Sequence, residues 1–177
     1  MRFGRDPHGA GQINFLVPNG TAVGRQTFVV QVSGMTTHEG SIDIAAAGPG
    51  LLTNPNNGAD AAAALNKDGS GNGPSSPAGK GEVVVPFGVG PGALDGSVDN
   101  GALAPTDPPL RTTSEVEAFV QAESVPVAFS GLAPNLVNAW QLNIAIPADV
   151  ASTADGRVAL FAVSGRINSQ PVVIWVQ

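Results

Sequence analysis

Cysteine is absent from this chain. That excludes disulfide staples, thiolate chemistry and cysteine-ligated zinc, and it leaves the redox compartment open. Tyrosine is absent too, and tryptophan occurs twice, at Trp140 and Trp175. A carbohydrate-binding face built from stacked aromatic rings therefore has few candidates. Charged residues make up 12% of the sequence, about half the usual share of ~25%. The eight basic residues are scattered, and the net charge is −6. No basic stripe exists for a nucleic-acid backbone, so no nucleic-acid partner is expected. No run reaches the ~18 apolar residues of a membrane helix, so no membrane insertion is expected. The segment Met1 to His8 has no apolar core of a leader peptide, so secretion would need a leader upstream or another route.

Chemistry-bearing constellations are equally sparse. His8 and His38 are the two imidazoles, no Gly-x-Ser-x-Gly elbow occurs, and no histidine spacing suits a metal. Gly88-Val89-Gly90-Pro91-Gly92 lacks the Lys-Ser/Thr of a phosphate loop. Asp68-Gly69-Ser70-Gly71-Asn72-Gly73 alternates oxygen side chains as a calcium loop does, but Gly79 stands where the twelfth-position Glu belongs, so it reads as a glycine-rich turn. Glu115 and Glu117 fall on the outward face of a strand. No catalytic residue, cofactor or metal ligand is assigned, and the chain reads as non-enzymatic.

What the chain has is glycine, proline and β-formers. Gly 23 and Pro 15, with abundant valine, imply many turns and an all-β fold. It also has an internal repeat. Gln12-Ile13-Asn14-Phe15-Leu16-Val17-Pro18 recurs as Gln141-Leu142-Asn143-Ile144-Ala145-Ile146-Pro147. Val32-Ser33-Gly34 follows the first copy as Val163-Ser164-Gly165 follows the second. Several strand-like runs precede the second copy, whereas eleven residues precede the first.

Alternation places strands at 11–17, 26–33 and about 40–45, then at 82–87, 115–120, 125–129, 139–146, 157–163 and 172–176. Within 26–33, Phe28, Val30 and Val32 share one face; within 115–120, Val116, Ala118 and Val120 face inward and Phe119 outward. Trp140 shares a strand face with Leu142 and reads as core. The domain reading is a partial three-stranded domain over 1–47, a connector over 48–81 with short strands of its own, and a complete domain over 82–177. The fold class is tandem immunoglobulin-like antiparallel β-sandwiches, the first one incomplete.

The segment Phe129-Ser130-Gly131-Leu132-Ala133-Pro134, then Val137 and Trp140-Gln141-Leu142-Asn143-Ile144, resembles an uncharacterised domain family at the C-termini of large predicted secreted proteins from Solibacter-type acidobacteria. Ala45 to Leu51, Ala64 to Ser70 and Pro109 to Thr113 are similar to it as well. The resemblance implies tandem immunoglobulin-like sandwiches on exported proteins and implies no catalytic residues. In that family several strands stand before the first Gln-Ile-Asn segment.

A half sandwich leaves an open apolar face and unpaired edges. Three arrangements answer that need: a longer protein of which this is a piece, strands exchanged with a neighbouring chain, or packing of the leftover strands on the complete domain. The second makes the protein an extracellular or cell-surface structural component that assembles with copies of itself into a fibre or surface layer. Its expected interface is Ile13, Phe15, Val17, Phe28, Val30 and Phe119. The alternative is a carbohydrate- or surface-binding module from a larger secreted protein. Asn19 in the sequon Asn19-Gly20-Thr21, and Thr112 and Thr113 beside Pro108-Pro109, are the candidate glycan acceptors.

Overall fold

The computed structural model describes residues 2–5, 11–58 and 60–177. They contain antiparallel sheets, no α-helix and a single 3-10 turn, Pro55–Asn57. The chain divides into two compact units: residues 1–45 with 99–102, and residues 46–98 with 103–177.

Unit 2 is built on two five-stranded sheets. The first sheet contains β5 (Gly50–Leu51), β6 (Ala64–Asn66), β7 (Val83–Val89), β10 (Val127–Leu132) and β11 (Trp140–Ala145). Its order is β10-β11-β7, with β5 and β6 both on the far edge of β7. The second contains β8 (Val116–Val120), β9 (Glu123–Val125), β12 (Arg157–Ser164), β13 (Ile167–Asn168) and β14 (Val172–Trp175). Here β12 lies between β8 on one side and β13 and β14 on the other, and β9 forms the opposite edge.

The alternation read from the sequence sets the faces. Val84, Leu142 and Ile144 from one sheet meet Ala118, Val120, Leu160, Ala162 and Ile174 from the other in one apolar core. Burying such side chains contributes roughly 1.5–3 kcal/mol each. Trp140 is fully buried in that core, and its indole N–H donates to Ser130 Oγ at 2.9 Å. Phe119 faces outward as expected.

The segment 48–81 belongs to the same unit as 82–98 and 103–177. Leu51, Ala62, Ala64 and Ala78 enter its core, β6 pairs with β7, and Ala61 and Ala78 form bridges to Val173 and Val176. Small alanines allow this stretch to lie close against the sheets, which is why its weak apolar pattern reads as a connector.

Unit 1 contains two hairpins: β1 (Arg2–Arg5) with β2 (Gly11–Asn14), and β3 (Gly24–Val32) with β4 (Met35–Ile44). The last strand starts at Met35, not at residue 40 as read from the sequence. Ser33 and Gly34 both have positive φ, 52° and 78°, so β3 turns directly into β4. The polar residues Thr36 to Glu39 hide that strand from a hydrophobicity reading.

Candidate assembly site

Unit 1 repeats the second half of unit 2 in geometry. β3–β4 and β12–β13 are both closed by a two-residue turn with positive φ at both positions, Ser33-Gly34 in one and Gly165-Arg166 in the other. The turns show that the Val-Ser-Gly match is one residue out of phase. Aligning the turns instead matches Gly24-Arg25 with Gly156-Arg157, Phe28 with Leu160 and Val30 with Ala162.

The ladders confirm this phase. On β3, His38 faces Val30 but Thr36 faces Gln31, so Thr37 is left over as a bulge. On β12, Val172 faces Leu160 and Asn168 faces Val163, so three residues stand against two at the matching place. Each bulge holds a hydroxyl residue against the same position. Thr37 Oγ1 donates to Val30 O at 3.1 Å, and Ser169 Oγ accepts from Ala162 N at 3.0 Å.

The first hairpin follows suit. Gly4 faces Gln12 in β1–β2, and Gly131 faces Gln141 in β10–β11. Gly4-Arg5-Asp6-Pro7 is the counterpart of Gly131-Leu132-Ala133-Pro134. This extension of the repeat is legible in the sequence as Gly-x-x-Pro, but the spacing from that proline to the glutamine is two residues shorter in the first copy, which conceals it.

These equivalences place five of the six expected interface residues. Ile13, Phe15, Val17, Phe28 and Val30 correspond to Leu142, Ile144, Ile146, Leu160 and Ala162, each 2% exposed or less. In unit 1, Phe15 is 53% exposed and Val17 37% exposed, and Ile13, Phe28 and Val30 are half-buried. No described side chain of unit 1 is fully buried. Phe15, Phe28 and His38 form a loose row, with ring centroids 6.4 and 6.1 Å apart. In unit 2 the matching residues are covered by β7 and β8, which pair with β11 and β12. Among the described residues, no strand takes either place beside β2 or β3.

The sixth residue, Phe119, is elsewhere. It lies in unit 2, opposite Phe161 on β12, and the rings stack 4.7 Å apart with a 4° interplanar angle.

The glycan candidates differ among themselves. Asn19 is exposed in a β-turn closed by Thr21 N donating to Pro18 O at 3.2 Å. The turn joins no paired strands and lies within the connection from β2 to β3. Thr112 is half-buried, with its hydroxyl 2.9 Å from Ser130 Oγ, while Thr113 is exposed and donates to Ala93 O at 3.3 Å.

The Asp68 loop is a self-contained turn. Asp68 Oδ1 accepts from Ser70 N at 2.9 Å and Ser70 Oγ at 2.6 Å, and the Ser70 hydroxyl is the chief cause holding the Asp68 carboxyl below its ordinary range. Behind it, Asn72 is buried and mimics a strand residue: it accepts from Trp175 N at 2.8 Å and donates to Trp175 O at 2.9 Å. Trp175 is buried as well, so neither tryptophan offers an open face. His8 lies outside the described residues, and no metal-holding group of His, Asp and Glu occurs among those described.

Comparison with family models, with curated proteins and with solved structures finds no match.

Proposed function

We propose that this protein is a non-enzymatic structural protein of immunoglobulin-like β-sandwich units, extracellular or at the cell surface. It assembles with copies of itself, into a fibre or surface layer, by completing unit 1 between subunits. One observation carries the reading. The open face of unit 1 matches, residue for residue, positions that form the closed core of unit 2. A face with that composition, beside two strand edges that are unpaired among the described residues, recruits further strands. The low charge and the resemblance to exported proteins support the location.

The test is electron microscopy and light scattering of the full chain beside a variant lacking residues 1–18. Assemblies of the full chain that are lost in the variant support the reading. Intact assembly of the variant, or a full chain monomeric at every concentration, overturns it.

A further inference from the structure

Resting on that reading, we infer that the partner of unit 1 is unit 1 of a second copy, joined about a two-fold axis. The argument begins with a count of half-domains. Among the described residues each chain has two second halves, β1–β4 and β10–β14, and one first half, β5–β9. Copies that exchanged first halves would always leave one second half per chain uncovered. Self-assembly must therefore place second half against second half.

The topology of unit 2 permits this. Its first half enters on edge strands β5 and β6, returns along central β7, crosses to central β8 of the other sheet and leaves by edge β9. Its second half enters on edge β10, returns along central β11, crosses to central β12 and leaves by edges β13 and β14. The roles are the same in the same order, and the central pairs β7–β11 and β8–β12 are both antiparallel. The two halves are thus arranged as a two-fold pair. A second unit 1 has the strand roles to act as the missing half, with its β2 in the place of β7 and its β3 in the place of β8. The result is one sheet of order β1-β2-β2-β1 and another of order β4-β3-β3-β4. Such an isologous contact closes on itself. Growth into a fibre or layer then uses further contacts on unit 2.

The register follows from β12. Leu160, Ala162 and Ser164 face Val120, Ala118 and Val116. Their counterparts are Phe28, Val30 and Val32, and a symmetric ladder over these three puts Val30 on the axis, opposite its own copy.

The chain has no cysteine, so single cysteines report this geometry cleanly. Under mild oxidation, Val30→Cys is expected to give a disulfide-linked dimer. Ile42→Cys, on the outer strand opposite Gln26, lies roughly 30 Å from its copy (three strand spacings across and eight residues along) and is expected to give none. Light scattering of the wild-type chain supplies the second measurement and does not depend on the variants folding. Trp140 and Trp175 both lie in unit 2, so their emission checks that unit 2 is intact. A doubled mass with selective cross-linking at position 30 supports the inference. Assemblies in which Val30→Cys does not cross-link overturn the two-fold pairing but leave self-assembly standing. A monomer at all concentrations overturns both.

Discussion

The ring of Phe28 lies over Gly40, with Cζ 2.7 Å from where a Cβ on Gly40 would stand. The two residues face each other across β3 and β4, as Leu160 and Val172 do across β12 and β14. A large–small pair in unit 1 stands where unit 2 has two medium residues, with seven side-chain carbons in each pair. Volume compensation of this kind matters inside a packed interior and is irrelevant on a permanently solvated face.

The first prediction exchanges these pairs. Gly40→Val alone is expected to weaken association by crowding Phe28, and Phe28→Leu alone to weaken it by leaving a gap. The double variant is expected to recover most of the loss, with a coupling of about 0.5–3 kcal/mol between the sites. Dimer dissociation constants from sedimentation check this; additive losses would contradict it.

Equivalent truncations should separate the units. Leu160→Ala is expected to cost about 2–5 kcal/mol of unit 2 stability, as large-to-small core changes do. Phe28→Ala is expected to leave the tryptophan-reported unfolding of unit 2 unchanged while reducing association. Denaturation followed by tryptophan emission, run beside light scattering, measures both.

How much of this was legible in the sequence depends on where apolar residues alternate. β8 and β11 alternate cleanly, and their faces are legible in Val116, Ala118 and Val120 and in Trp140 and Leu142. The first half of β4 is not legible because Thr36 to Glu39 are polar on both faces. The strands in 48–81 were obscured because alanine carries little pattern and because the Asn72 side chain, rather than a backbone, pairs with Trp175. The repeat was visible, but its phase was not: Val-Ser-Gly matched by identity, while turn geometry aligned Gly24-Arg25 with Gly156-Arg157.

That amide pairing yields the third prediction. Asn72→Ala leaves the buried Trp175 N–H without its acceptor, while the Trp175 carbonyl keeps the Ala78 N–H at 2.9 Å. An unsatisfied buried group costs about 1–3 kcal/mol, so the midpoint of unit 2 unfolding is expected to fall clearly. Ser70→Ala, nearby and half-buried, removes a hydroxyl that bonds only to the neighbouring side chains Asn66, Asp68 and Ser76 and orphans no backbone group, so it is expected to lower it less. Equal effects of the two would contradict this account of the loop.

The same loop sets a pH dependence. The Asp68 carboxyl is held below its ordinary value of 3.8, chiefly by the Ser70 hydroxyl and then by the Ser70 amide. Asp155 is lowered likewise, chiefly by the Thr153 hydroxyl. A depressed folded-state value favours folding above the unfolded value, and that contribution is lost as pH falls through the folded one. The loop contribution is therefore expected to be constant above about pH 5 and to disappear under acid conditions below 3.8. Carboxyl titration by NMR should show the Asp68 value rising in Ser70→Ala; an unchanged value would contradict the assigned cause.

Amide hydrogen exchange of the full chain across a dilution series tests the central claim most directly. If a second copy completes unit 1, amides along β3 are protected when the protein is concentrated, and lose that protection on dilution while those of β11 and β12 keep theirs. Amides of β3 that exchange freely at every concentration would contradict the account, and so would β3 protection that does not change with dilution.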